Sequence, residues 1–284
     1  MHDKDLYAEV RGVRLRYRDE GLGPAVILVH GWTLDLEMWE PQVAELTPDY
    51  RVIRFDRRGF GLTSGQPSLA DDVEDLRALC HLLKLNRVAL VGMSQGARVV
   101  LRAAESYPTL VASLVLDGAP RLEGMPTASE SNELPFQHYR ELAQTRGMSA
   151  FREEWTRNPL LRLTTSDALT HDLLARMIAR YPGKDLTDDT QRPACPSSPG
   201  AHELLAVPVL LISGENDLPG RRQAASELAR RLPHAEHAQI PAAHHLCNLD
   251  NPRAYNFALR SFLDRHRAAL MNHCFSAPDY RCPH

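Results

Sequence analysis

Two short stretches near the amino terminus, residues 7–10 and 13–18, alternate apolar and polar side chains and are joined by Arg11-Gly12. Period-two alternation around a turn predicts an antiparallel hairpin at a sheet edge. Arg14, Arg16 and Arg18 stand opposite Val13, Leu15 and Tyr17, which reads as the solvated face of a strand. Four compact apolar runs follow, at residues 25–29, 51–55, 87–91 and 112–116. Segments 39–46, 69–83 and 95–106, whose apolar positions recur near every 3.6 residues, separate them and predict helices. Short runs of Val, Ile and Leu alternating with helices predict an α/β fold: a mostly parallel central sheet covered by helices on both faces.

That rhythm breaks after Asp117-Gly118-Ala119-Pro120. From residue 121 to about 200 no strand-like run occurs; helical spacing covers 136–145, 149–157 and 167–180, and residues 191–200 form a proline-rich connector. The sheet pattern then resumes with a strand at 207–212, a helix at 221–231, a strand at 236–240 and a helix at 252–267. The expected organisation is a core made of residues 1–120 and 201–268, and a helical lid at 121–200 over the strands' carboxyl ends, where ligands bind in open α/β sheets. Residues 269–284 show no periodicity and are expected to form a mobile tail.

Composition narrows the function. The 284 residues carry a net charge of −3 with the two signs interspersed, a balance that points to no nucleic-acid partner and no membrane surface. No apolar run approaches a membrane span. Residues 1–5 lack the apolar stretch of a secretory signal. The five cysteines are scattered and odd in number, which argues against a disulfide framework and for a reducing cytoplasm. Cys274 and Cys282, flanked by His273 and His284, match no usual zinc spacing. The expected partner is a small-molecule substrate, with a homo-oligomer compatible with this surface.

The chemistry starts at Gly92-Met93-Ser94-Gln95-Gly96, which sits directly between an apolar run and a helical pattern. A strand turning sharply through G-x-S-x-G into a helix leaves its serine hydroxyl exposed, and glycines flank it because strand and helix backbones approach closely. A serine hydroxyl needs a neighbouring base, usually a histidine oriented by a carboxylate. Among the 13 histidines, His244 and His245 sit in a loop directly after a late strand. For the acid, Glu215 and Asp217 follow the strand at 209–212, and Asp117 ends an earlier one. A helix N-cap and a turn are their respective structural alternatives. The backbone amides of Trp32, in His30-Gly31-Trp32, and of Gln95, at the helix start, are the candidate oxyanion donors. His30 itself reads as a residue that braces its loop.

At these residues the chain resembles the α/β-hydrolases, in particular their lidded serine esterases, lactonases and C–C hydrolases. The likeness rests on five motifs in order: His30-Gly31-Trp32; Asp56-Arg57-Arg58-Gly59-Phe60-Gly61; the Ser94 pentapeptide; Gly214-Glu215-Asn216-Asp217; and residues 245–252. It implies Ser94 as nucleophile, Asp217 as acid and His245 as base, although His244 stands where the family has glycine and some members take their acid from the position of Asp117. It implies a structural turn at residues 56–61, with Arg57 or Arg58 paired to Asp56. A serine at the elbow excludes the aspartate-dependent dehalogenase and epoxide routes, leaving acyl transfer to water with no metal or organic cofactor. The same triad also serves C–C cleavage, cyanohydrin lysis or perhydrolysis, and a receptor that has lost catalysis is a further alternative. Phe136, Tyr139, Phe151, Trp155 and Tyr181 in the lid read first as packing; those that line a pocket would suit a small, apolar ester or lactone.

Overall fold

The computed structural model describes residues 5–118, 134–188 and 205–271. Its centre is an eight-stranded sheet made of β1 (Leu6–Val10), β2 (Val13–Glu20), β3 (Ala25–Val29), β4 (Arg51–Phe55), β5 (Val88–Met93), β6 (Val111–Asp117), β7 (Val209–Gly214) and β8 (Ala235–Ile240). The spatial order is β1-β2-β4-β3-β5-β6-β7-β8. β1 and β2 form the expected antiparallel hairpin, β2 runs antiparallel to β4, and all remaining pairs are parallel. Every residue of β3, β5, β6 and β7 is buried, as expected for strands covered on both faces. Alternate residues of β3 serve opposite layers: Val26 and Leu28 join Trp39, Val52 and Phe262, while Ile27 and Val29 join Leu79, Val99 and Leu114.

The helices that cover the sheet are α1 (Glu40–Leu46), α2 (Leu69–Leu82) and α3 (Gln95–Ser106), and in the second half α7 (Pro219–Arg231), α8 (Cys247–Asp250), α9 (Pro252–Arg265) and α10 (Arg267–Met271). Between β6 and β7 lie α4 (Phe136–Trp155), α5 (Ala168–Arg180) and the single turn α6 (Lys184–Thr187). The two helices expected at 136–145 and 149–157 run together as α4, with a non-helical break at Gly147, whose φ is 82°. Parallel strands all end at one edge of the sheet, so the loops after β3, β5, β6, β7 and β8 cluster there.

Three expectations need correction. The arginines of β2 do not form a solvated face: Arg16 is buried and pairs with Glu37 at 3.1 Å and Asp56 at 3.2 Å, and Arg18 pairs with Asp5 at 2.7 Å and Glu40 at 2.9 Å. Alternation reveals which residues share a face, but the chain at residues 35–40 brings Glu37 and Glu40 to this one, and Asp5 and Asp56 supply the other carboxylates. Only Arg14 stays outside, over the Tyr7 ring at 3.7 Å. The tail does not begin at residue 269, because α10 continues to Met271 and buries Leu270. Third, Arg57 and Arg58 pair with Asp72 and Asp75, at 3.1 and 2.7 Å, instead of with Asp56. The proline-rich connector at 191–200 and the Cys274–Cys282 cluster lie outside the described residues. No helix among the described residues is long and apolar enough to cross a membrane.

Candidate active site

Ser94 stands at the turn from β5 into α3 with φ 54° and ψ −108°, a left-handed conformation that costs a non-glycine residue about 1–3 kcal/mol. The surrounding backbone holds it there. A side chain at Gly92 would strike Gly96 and Val100, and one at Gly96 would strike the Val29 and His30 carbonyls, so both glycines are required by close approach. The Ser94 amide donates to the Asp117 carbonyl at 2.8 Å, tying the elbow to the end of the adjacent strand β6. Ser94 itself is half-buried.

The loops after β7 and β8 are built as one unit. The Glu215 amide donates to the Ile240 carbonyl at 2.9 Å and the Asn216 amide to that of Ala243 at 2.8 Å, while the Glu215 carboxylate accepts the Ala242 amide at 2.8 Å. Glu215 is therefore a loop brace. Asp217 instead accepts His245 Nδ1 on Oδ2 at 2.9 Å and the Leu218 amide on Oδ1 at 2.7 Å. Both side chains of the pair are buried. Burial pushes the Asp217 carboxyl up, but the His245 charge, its hydrogen bond and the Leu218 amide outweigh it, and the net shift is downward. Asp217 thus stays a carboxylate and holds the proton of the imidazole on Nδ1, leaving Nε2 as the basic atom.

The His245 ring rests against Gly118, directly after β6: a Cβ built on Gly118 would lie 2.7 Å from His245 Cε1 and 3.6 Å from Nε2. Since Ser94 is bonded to Asp117, the preceding residue, serine, imidazole and carboxylate converge on one end of β5, β6 and β7. His244 points elsewhere. Its amide donates to Asp250 at 2.8 Å, and its Nδ1 lies 3.0 Å from the Thr164 hydroxyl. Asp250 also accepts the Thr164 and Thr165 amides, so His244 and Asp250 fasten the inserted block to the core.

Among the described residues, Asp117, the alternative acid, makes no hydrogen bond to the imidazole. It accepts the Cys247 thiol at 3.3 Å and is fully buried. Burial pushes its carboxyl up to about 8; the Cys247 bond pulls it down and the Asp217 charge adds to the rise. A group that is mostly protonated at neutral pH does not serve as the anionic partner of a histidine.

On the other side of Ser94 the turn after β3 comes close: a Cβ on Gly31 would lie 3.5 Å from Ser94 Cβ. Among the described residues no protein group accepts the amide of Trp32 or of Gln95. His30 is buried and neutral, with Nδ1 bonded to the Gly31 carbonyl at 2.8 Å and Nε2 accepting the Arg57 amide at 2.9 Å. The Trp32 indole donates to Asp185 of α6 at 2.7 Å. Trp32 packs among Phe136, Tyr139, Phe151, Trp155 and Tyr181. Those aromatic residues form the seam between inserted block and core. Arg180 on α5 strengthens it through Asp35 at 2.8 Å and Glu37 at 2.7 Å. The roles of Asp185, Asp250 and Arg180 escaped the sequence, because each depends on a partner far along the chain.

Comparison with known proteins agrees with this architecture. A family model described as the alpha/beta hydrolase fold matches residues 24–252. A provisionally named 2-succinyl-6-hydroxy-2,4-cyclohexadiene-1-carboxylate synthase of Bacillus subtilis (strain 168) is 30% identical over 270 residues, covering 89% of this chain and 95% of its own. A thermophilic esterase from Thermogutta terrifontis superposes with a TM-score of 0.79 at 26% identity, over 93% of this chain and 99% of that one. The enol-lactonase from Burkholderia xenovorans LB400 shares the fold with a TM-score of 0.77 at 24% identity, over 91% and 100% of the two chains. The chain belongs to the α/β-hydrolase fold family.

Proposed function

We propose that this α/β-hydrolase cleaves a small carboxylic ester or lactone through an acyl-enzyme on Ser94. His245 Nε2 takes the Ser94 proton as the oxygen attacks the carbonyl, and Asp217 stabilises the imidazolium that forms. The Trp32 and Gln95 amides receive the oxyanion, and the imidazolium returns its proton to the departing alkoxide. Water, activated by the same imidazole, then releases the acid. The observation that carries this reading is the pairing of His245 Nδ1 with Asp217 at 2.9 Å beside Gly118, next to a serine held in a left-handed conformation at the elbow. The seating of the inserted block on Trp32 supports a small substrate, because Phe151, Trp155 and Tyr181 fill space beside the turn. The esterase and enol-lactonase names of structural neighbours agree with this class.

Hydrolysis of short p-nitrophenyl esters tests the proposal. Ser94→Ala, His245→Ala and Asp217→Ala are each expected to lower kcat by about 10³-fold or more. Equal turnover by the wild type and Ser94→Ala would overturn it.

A further inference from the structure

Arg57 is buried in the loop after β4, the segment the sequence reading treats as a structural turn. Its Nη1 is held by Asp72 on α2 at 3.1 Å, and its guanidinium lies over the Phe60 ring, 4.4 Å from the centroid. The remaining arm faces the candidate site. Nη2 donates to the Gln95 side-chain oxygen at 2.8 Å and makes a longer contact, 3.4 Å, with the Gly31 carbonyl. That carbonyl belongs to the same planar peptide group as the Trp32 amide, and in a trans peptide the C=O and N–H point in opposite directions. Fixing the Gly31 oxygen therefore fixes the direction of the Trp32 N–H. His30 Nδ1 holds the same oxygen at 2.8 Å, and the Arg57 amide, bonded to His30 Nε2 at 2.9 Å, keeps the His30 proton on Nδ1. Donors on a carbonyl also polarise its peptide and strengthen the N–H at the other end.

We propose that Arg57 is a positioning residue for the oxyanion hole, setting the Trp32 amide through the Gly31 carbonyl and His30, and the Gln95 amide through the Gln95 side chain. The inference rests on the reading of those two amides as oxyanion donors. One guanidinium spans both halves of the hole while Asp72 fixes it from behind. A lysine keeps the charge opposite Asp72 but cannot reach the Gly31 and Gln95 oxygens together. Misplacing preorganised donors raises the barrier without weakening ground-state binding, so the effect falls on kcat.

The test is steady-state ester hydrolysis by wild type, Arg57→Lys, Gln95→Met and the double variant, with the folded fraction measured by circular dichroism. Arg57→Lys is expected to lower kcat by about 10- to 100-fold with KM within about threefold of wild type. Gln95→Met, which leaves the Arg57–Asp72 pair intact, is expected to lose a smaller part of kcat, and the double variant to be no slower than Arg57→Lys alone. Unchanged kcat per folded molecule, a loss confined to KM, or additive losses would overturn the proposal. Should Arg57→Lys fail to fold, Gln95→Met decides: a kcat loss at constant KM supports the proposal and an unchanged kcat overturns it. A wild type that fails to react with a fluorophosphonate at Ser94 removes the serine-hydrolase reading itself, whereas a reactive wild type with indifferent Arg57 and Gln95 variants removes this inference alone.

Discussion

The His245 ring lies against the backbone of Gly118, so close that a methyl group there would stand 2.7 Å from Cε1. The two residues are far apart in sequence, yet their contact places the imidazole at the end of β6, one strand over from Ser94. Gly118 also adopts φ +61°, which an L side chain rarely adopts. Gly118→Ala is therefore expected to act twice. It should cost about 1–2 kcal/mol of stability through the backbone, and it should push the ring aside and lower kcat/KM by about 10- to 100-fold. Thermal melts together with ester kinetics check both effects, and unchanged kinetics would show that the ring tolerates displacement.

Gly96 tests the elbow itself. A Cβ there meets the carbonyls of Val29, the last residue of β3, and of His30 directly after it, both backbone atoms, so neither swings away as a side chain would. Gly96→Ala is expected to destabilise the protein by about 2–4 kcal/mol, as overpacking against fixed backbone does. Denaturant titration measures this; a loss below 1 kcal/mol, roughly the helix-propensity scale, would show that α3 can slide outward.

Asp117 gives a pH dependence with a definite sign. Burial first, and the Asp217 charge after it, raise its pKa from 3.8 in the unfolded chain to about 8 in the native state, against the pull of the Cys247 thiol. Between those values the native state binds the extra proton, so stability declines as pH rises from about 4 to about 8. Asp56 and Asp72, each pushed up to about 6 chiefly by burial, add slope in the lower part of that window. Asp117→Asn removes the Asp117 contribution alone. Its stability relative to wild type should improve by about 1–3 kcal/mol between pH 6 and pH 8.5. A difference that stays constant over this range would contradict the assignment.

His244 separates fastening from catalysis. Its ring Nδ1, 3.0 Å from the Thr164 hydroxyl and 3.2 Å from Asp250 Oδ2, ties the loop after β8 to residues 164–165 and leaves His245 and Asp217 untouched. Alanine removes that ring while keeping the backbone amide bond to Asp250. His244→Ala is expected to cost about 1 kcal/mol and to increase proteolytic cleavage near residues 162–168, while Ser94 remains reactive. Protection from protease equal to wild type would show that Asp250 alone holds that segment.

The Ser94 elbow was legible in the sequence because everything that defines it is local: a strand, five residues and a helix. The parallel sheet was legible for a similar reason, since runs such as Ala25–Val29 carry their double-sided burial in their own composition. The choice of His245 over His244 needed family resemblance, because adjacent histidines look alike until Asp217 and Asp250 each claim one. The arginines of β2 misled because alternation says nothing about what later folds over a strand. Arg57 carried only the signal of a structural turn: its meaning comes from Asp72, Gly31 and Gln95, which only the folded chain brings to one guanidinium.

The central claim is a reactive Ser94 hydroxyl activated by His245, and covalent labelling reads it directly. After treatment with a fluorophosphonate and proteolysis, mass spectrometry should find the adduct on Ser94 in wild type and in His244→Ala, and almost none in His245→Ala. Label on another residue, or labelling of Ser94 indifferent to His245, would contradict the account.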